Sequence, residues 1–237
     1  MKKYLKYIFV FVCVIILLTS TAAANDTLDE YREDAQMLNN IGFMQGDDGG
    51  MRLFDELNRA EAATLLCRAY GGELEAKYYE HKFTFTDVPD WAIPYVAYMS
   101  ENGIIRGRTA EVFDPFASVT MQEFYTMLLR MLGYSDADGD FEYAKVLDFA
   151  KSIDLISDED IDIVKNRFFC RIDAAHAVVS ALRQPCKGSE LTLAESRASY
   201  IDSSYDMELA KVVLGKHEAY NQMEKTRKAM SMGRASQ

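Results

Sequence analysis

The sequence predicts an all-α protein in which three helix-loop-helix repeats form a pseudo-threefold helical cluster, followed by a C-terminal helical tail. The first observation behind this prediction is a capped amphipathic helix over Leu57–Gly72, whose pattern recurs twice further along the chain. The second is that each copy follows an upstream helix and a turn at nearly the same distance. A unit of about 50 residues has two apolar helix faces and cannot cover both by itself, so the copies must share one core.

In the first copy, Asn58 and Glu61 have the spacing of a capping box, in which the Asn side chain accepts from an early backbone N–H and the Glu side chain reaches back. Arg59 stands at the first helical position. Apolar residues then recur at a spacing that places them on one helix face, namely Ala62, Leu65, Leu66 and Ala69. Gly71 and Gly72 end the helix.

The second copy repeats this entry with a capping box at Thr120–Glu123. Met121 occupies the first helical position there, and Arg171 occupies it in the weaker third copy. The upstream turns stand at Gly42, Gly103 and Asp154. Because the distance from turn to helix start agrees within one residue in all three copies, internal repeats are favoured over chance periodicity.

The predicted boundaries are 1–24 for a secretory signal peptide, 25–73, 83–134 and 139–185 for the three repeats, and 187–237 for the helical tail. The signal peptide is indicated by early lysines, by an apolar run from Tyr7 to Leu18 that is shorter than a membrane span, and by a small-residue end at Ala22–Ala24. In the tail, Asp206–Met230 has apolar residues near one helix face. Whether this tail packs on the repeats, self-associates or is disordered stays open.

Charge and cysteine usage exclude several classes of function. The chain carries 37 acidic and 26 basic side chains and a formal net charge of −11, which argues against nucleic acid as a partner. The cysteines that follow the predicted signal peptide have no zinc-site spacing; packing is favoured for Cys67, and a Cys170–Cys186 disulfide stays open. The histidines are isolated in the sequence and are interpreted as surface or helix-face residues, so no metal site is predicted; they are His81, His176 and His217.

Several stretches carry a resemblance to a known family. In the second copy they are Phe85–Val88 followed by Trp91, then Gly103–Gly107 and Phe113–Pro115. With Leu57–Glu61 of the first copy, these stretches resemble the S-layer homology module. The resemblance covers most of the chain, and it is most specific in the second copy.

The resemblance implies an all-α body with grooves between the repeats, on an exported protein of the bacterial cell wall and cell surface. Such modules bind secondary cell-wall polysaccharide, often through a pyruvylated amino sugar, or another peptidoglycan-linked glycan. A third hypothesis, an enzyme acting on wall glycan, is not favoured, because the many acidic residues form no recognisable catalytic pair; no cofactor is predicted. The family's signature arginine contacts the acidic substituent, and this role fits its position, because an arginine at a helix N-terminus can meet a carboxylate with parallel donors beside the positive end of the helix dipole.

The predicted binding groove lies around Gly42, Gly46 and Arg59, because only the first copy keeps both turn glycines and the arginine. Arg171 is the second candidate. The resemblance also implies a set of further binding residues, namely Trp91, Asp87, Gly103 and Gly107.

Departures from the family pattern leave alternatives open. Met121 removes the arginine from the second copy, and Asp154 and Asp158 replace the glycines of the third, where inward-pointing carboxylates would repel an anion. The two arginines could also form ordinary ion pairs, and Trp91 is favoured as a core residue over a sugar-stacking one. A second hypothesis is therefore an exported protein-interaction module that keeps the fold, has lost glycan binding, and contacts another envelope protein.

Overall fold

The structure is a computed structural model that describes residues 27–78, 80, 82–165 and 167–197. Its helices are α1 (27–40), α2 (Arg59–Ala69), α3 (Glu73–Tyr78), α4 (Ile93–Glu101), α5 (Met121–Met131), α6 (Val146–Ser152), α7 (Asp158–Val164), α8 (Arg171–Arg183) and α9 (Leu193–Arg197). Within the described residues, β pairing is limited to isolated bridges. The predicted all-α class is confirmed.

Both predicted capping boxes form. The Asn58 side chain accepts from the backbone N–H of Glu61, whose carboxylate accepts in return from the Asn58 N–H, and Thr120 and Glu123 do the same at α5. At α8, the Asp173 carboxylate accepts from the backbone N–H of Cys170. The helices therefore begin where their local sequence predicts.

Long-range packing joins each long capped helix to the first helix of another predicted repeat. α2 packs on α4, and α5 packs on α6. α8 meets α1, where His176 lies against Asp34 and Tyr31. One continuous core fills the centre, with fully buried side chains that include Leu38, Leu66, Met99, Leu128 and Val179.

The segments that lead into α2, α5 and α8 lie side by side. The backbone N–H of Arg59 donates to the carbonyl of Ala117, and the N–H of Arg171 donates to that of Asp55, each at 3.0 Å. The next residue of each helix forms a second bond of the same kind, from Ala60 to Pro115 and from Ile172 to Leu53. These matching pairs favour the division into three repeats, which stays a prediction.

The turn before each predicted loop has a left-handed residue. Gly42, Gly103 and Asp154 have φ angles of 78°, 72° and 58°. Asp154 therefore stands at the backbone position that glycine holds elsewhere, at the steric cost that a Cβ carries there. Beyond it the third copy forms α7 rather than an open loop, and Asp158 at its start points outward to bind Lys151. Repulsion of an anion by an inward-pointing Asp158 is therefore not expected.

The predicted tail begins by packing on the helical body. α9 contacts α8, and Leu193 is fully buried. The Arg197 guanidinium lies 3.5 Å from the centre of the Tyr70 ring. The predicted signal peptide and the Asp206–Met230 helix lie outside the described residues.

Two further sequence expectations concern membranes and disulfides. In the described part of the chain, every helix is too short or too polar to cross a bilayer. Cys67, Cys170 and Cys186 are free thiols, so the Cys170–Cys186 bridge is not formed. Cys67 is fully buried, as a packing role requires.

Candidate functional site

Arg59 is buried between two predicted repeats. Its Nε donates to the carbonyl of Phe113 at 2.9 Å and its Nη2 to the carbonyl of Arg106 at 2.7 Å. The guanidinium also lies over the Phe113 ring, and Nη1 is 3.7 Å from Glu123. Only 3% of the residue is exposed, and burial lowers the pKa of the guanidinium from its ordinary value. Arg59 therefore holds the 106–113 loop against α2.

Arg171 makes the equivalent contacts with the first predicted loop. Its Nε donates to the carbonyl of Met51 at 3.0 Å and its Nη2 to the carbonyl of Gln45 at 2.8 Å. Its Nη1 lies 3.3 Å from Glu61. Burial lowers the pKa of this guanidinium as well.

The sequence prediction grouped the wrong arginine with the first pair of glycines. Arg171, and not Arg59, reaches the loop that begins at Gly42 and Gly46, whereas Arg59 reaches the loop that begins at Gly103. The reason is that each helix start packs on the loop of a neighbouring unit, a contact that the spacing within one copy does not reveal.

An open cleft of about 360 Å³ lies between α2 and α4, and we call it the α2–α4 cleft. Its lining combines apolar, aromatic and charged side chains: Phe43, Met44, Gln45, Leu57, Glu61, Thr64, Leu65, Arg68, Trp91, Tyr95 and Arg171. Two guanidinium groups face one carboxylate in this lining, although the whole chain is acidic. The lining of the cleft therefore carries more cationic than anionic groups.

Trp91 is the most accessible aromatic group of this cleft. Its exposed fraction is 51%, so the favoured prediction that it is a core residue is wrong. It lies two residues before the start of α4, the helix that carries Tyr95 into the same cleft. An exposed indole face beside polar groups is suited to stacking on a flat apolar surface such as that of a sugar ring.

Arg68 is the second cation of the cleft, and sequence reasoning did not single it out. Its Nε is 3.2 Å from Glu73, and its Nη2 donates to the Gln45 side chain at 3.4 Å. The guanidinium lies 5.6 Å from the centre of the Tyr95 ring. The signal that could have found it is its place in the last turn of α2, a common position for a basic residue.

The remaining predicted site residues shape the loops. A Cβ on Gly46 would overlap the backbone of Gly50, and a Cβ on Gly107 would overlap the loop closed by Thr109 and Val112. None of the four predicted glycines is among the lining residues of the α2–α4 cleft.

Asp87 closes the second loop. Its carboxylate accepts from the backbone N–H groups of Phe113 at 2.9 Å and Asp114 at 2.7 Å. Burial acts to raise the pKa of Asp87, but these hydrogen bonds more than offset it and hold the pKa below its ordinary value. In the described structure its contacts are therefore those of a loop residue.

The place between α5 and α6 that corresponds to the α2–α4 cleft holds a carboxylate of the chain itself. Asp136 accepts from Arg130 Nε at 2.9 Å and Nη2 at 2.8 Å, and from Arg106 Nη1 at 2.9 Å. The hydrogen bonds from Arg130 hold the pKa of Asp136 below its ordinary value. Arg130 occupies the position in α5 that Arg68 occupies in α2. Arg130 donates to the carbonyl of Ile104, and Arg68 donates to the carbonyl of Phe43.

The place between α1 and α8 that corresponds to the α2–α4 cleft carries acidic side chains. His176 Nδ1 lies 2.8 Å from Asp34 Oδ2, and Nε2 lies 3.6 Å from Asp160. Glu30 adds a further carboxylate on α1. The interpretation of His176 as an isolated histidine is wrong, because its partners are distant in sequence.

Comparison with known proteins identifies one segment of the chain. Residues 84–124 match the S-layer homology domain, which confirms the resemblance noted for the second copy. The chain is 33% identical over 146 residues to a surface layer protein of Brevibacillus choshinensis and 35% identical over 119 residues to the middle cell wall protein of Brevibacillus brevis. It is 27% identical over 113 residues to a cellulosome-anchoring protein of Acetivibrio thermocellus.

These similarities cover a limited part of each relative. The alignments span 56%, 49% and 45% of this chain, but 13%, 11% and 25% of the three relatives. The chain therefore matches a small portion of proteins that are named for a surface layer, a cell wall and the anchoring of cellulosomes.

Proposed function

We propose that this chain is a non-catalytic attachment protein of the bacterial cell envelope that binds an acidic secondary cell-wall polysaccharide in the α2–α4 cleft. The observation that carries the proposal is the arrangement of an exposed Trp91 beside Arg68 and Arg171 in one open cleft. A pyruvylated amino sugar fits this chemistry, because it offers a ring face for the indole and a carboxylate for a guanidinium.

The charge of the cleft supports an anionic glycan over a neutral one. Arg171 is buried and held by carbonyl groups, and its carboxylate partner Glu61 is shared with Arg52, so Glu61 balances the charge of Arg171 only in part. Arg68 is shared between Glu73 and neutral acceptors. In a partly desolvated cleft, a ligand carboxylate gains more from these cations than it would at an open surface.

The lining also supports a binding role over a catalytic one. Most glycoside hydrolases use a pair of carboxyl groups that flank the glycosidic bond. Among the lining residues of the α2–α4 cleft, Glu61 is the one carboxylate, and it already accepts from the Asn58 backbone and lies 3.3 Å from Arg171. The relatives named for surface layers, cell walls and anchoring support the same conclusion.

The test is a pull-down of the protein on purified cell-wall sacculi, before and after chemical removal of the attached polysaccharide. Binding is expected to depend on the polysaccharide, and Trp91→Ala is expected to weaken it on the order of tenfold, the loss typical of a removed aromatic anchor. Phe116→Ala is the matched control, because Phe116 is an exposed aromatic residue that does not line the cleft. Binding that survives polysaccharide removal, or equal binding by the two variants, would refute the proposal.

A protein-interaction module is the second candidate function. It is favoured by exposed phenylalanines on adjoining segments: Phe54 and Phe116 are 56% and 68% exposed, and the bridge between Asn58 and Ser118 brings their segments together. The presence of Met121 in place of the signature arginine also favours this second candidate. This alternative predicts that Phe116→Ala, and not Trp91→Ala, abolishes co-purification with an envelope protein.

A further inference from the structure

The position between α1 and α8 has chemistry opposite to that of the α2–α4 cleft. His176 lies five residues after the first residue of α8, and Thr64 has the same position in α2. Asp34 lies eight residues before the left-handed Gly42, as Tyr95 lies eight residues before Gly103. At the other equivalent positions of the predicted repeats, Glu30 corresponds to Trp91, Ser180 to Arg68 and Met121 to Arg171. The cations are lost and potential metal ligands stand in the cleft positions.

The three candidate ligands converge closely. One oxygen of Glu30, one oxygen of Asp34 and one nitrogen of His176 all lie within 4.8 Å of one another. Glu30 and Asp34 are four residues apart on α1, so they share a helix face. Asp34 is 1% exposed, whereas Glu30 is open to solvent, which leaves an entry path for an ion.

The imidazole of His176 is oriented from two sides. The Tyr31 ring stacks on it with centroids 3.9 Å apart and an interplanar angle of 11°. Nδ1 faces Asp34, and Nε2 faces Asp160, which also accepts from the Tyr31 hydroxyl. A histidine ligand generally needs such a partner on its second nitrogen to fix its tautomer, and Asp160 is placed to serve as one.

The negative charge around His176 also favours a bound cation. Glu30, Asp34 and Asp160 surround one imidazole, while Arg183 approaches Asp34 with Nη2 3.9 Å from Oδ1 and offsets one charge. A dication bound between Nδ1 and Oδ2 would take the place of the hydrogen bond that now joins His176 to Asp34, and Nε2 would then carry the proton that faces Asp160.

We propose that Glu30, Asp34 and His176 form a binding site for a divalent transition metal ion of the Zn²⁺ class. Two carboxylate oxygens and one imidazole nitrogen are a ligand set that suits Zn²⁺, which takes three protein ligands and a water in an open site. Hard cations such as Ca²⁺ prefer a set made of oxygen atoms alone and more of them. The site is independent of the α2–α4 cleft and of the proposed polysaccharide.

The test is calorimetric titration of the full chain with ZnCl₂, and of the variants Glu30→Gln and Asp29→Asn. Glu30→Gln is expected to weaken Zn²⁺ binding at least about tenfold, because it removes a ligand without disturbing the core. Asp29→Asn is the matched control, since Asp29 is an exposed carboxylate on the same helix that pairs with Arg32. Its affinity for Zn²⁺ is expected to equal that of the wild type.

A second measurement reports on the histidine itself. In the ¹H–¹⁵N spectrum of its imidazole nitrogens, Zn²⁺ is expected to shift the His176 resonances in the wild type and in Asp29→Asn, and far less in Glu30→Gln at the same concentration. Unshifted His176 resonances in the wild type, or equal Zn²⁺ affinity in Glu30→Gln and Asp29→Asn, would overturn the proposal. Tighter binding of Ca²⁺ than of Zn²⁺ would also overturn it.

Discussion

At the scale of single residues, the arginine at the start of a capped helix is primarily a clamp between units. Arg59 and Arg171 each donate to two loop carbonyls, and both are almost fully buried. Sequence reasoning found the position of both residues because the first helical residue is a local feature. It did not find their partners, because these belong to a loop elsewhere in the chain.

Replacement of Arg59 by methionine tests the clamp. Met121 already occupies the corresponding place in α5, so Arg59→Met keeps a long apolar stem but removes the donors to Phe113 and Arg106. The carbonyls lose charged hydrogen bonds, and we expect the free energy of unfolding to fall by about 2–3 kcal/mol. Urea denaturation measures this change.

The control for that prediction is Arg32→Met on α1, where the arginine is exposed and forms a surface pair with Asp29. We expect its effect to stay within about 0.5 kcal/mol. If Arg59→Met were as mild as this control and yet abolished polysaccharide binding, the arginine would be a ligand residue rather than a clamp.

At the scale of helices, the elements that the sequence predicts best are those defined by neighbouring residues. The starts of α2 and α5 follow from two capping residues three positions apart, and the core faces follow from helical periodicity. The exposure of Trp91 and the use of Asp136 by Arg130 depend on how helices pack. Neither feature has a local pattern that would predict it.

Removal of the cap at α5 should have a measurable and limited cost. Thr120→Ala deletes the hydroxyl that accepts from the Glu123 backbone N–H, and we expect a loss of about 1 kcal/mol in unfolding free energy. Thr120→Ser keeps that oxygen and should retain most of the stability. Thermal unfolding followed by circular dichroism compares the two, and equal midpoints would show that the box contributes little to the fold.

At the scale of the whole molecule, the acidic chain is stabilised by carboxylates that must stay ionised. Burial acts to raise the pKa of Asp87 and Glu123, but hydrogen bonds to each lower it overall, and hydrogen bonds from Arg130 lower the pKa of Asp136. A folded-state pKa below the unfolded value means that these groups stabilise the fold fully at neutral pH. Their contribution is lost as the pH falls through the folded-state pKa values.

We therefore expect the urea midpoint to change little between pH 7 and about pH 5 and to fall steeply below about pH 4. Asp136→Asn should be less stable than the wild type at pH 7, because it weakens the contacts with Arg106 and Arg130. It should also lose less stability on acidification. A midpoint that rises on acidification, or the same acid dependence in both proteins, would contradict this account.

The contact between α1 and α8 determines how late in synthesis the chain can complete its fold. His176 and Asp34 are 142 residues apart, so the first described helix cannot find its partner until nearly the whole helical body has been synthesised. Closing so long a loop is costly in chain entropy, and contacts of this kind slow folding. A nascent chain that ends before α8 would lack the partner of Asp34 and Tyr31, and the synthesis of α8 would supply it.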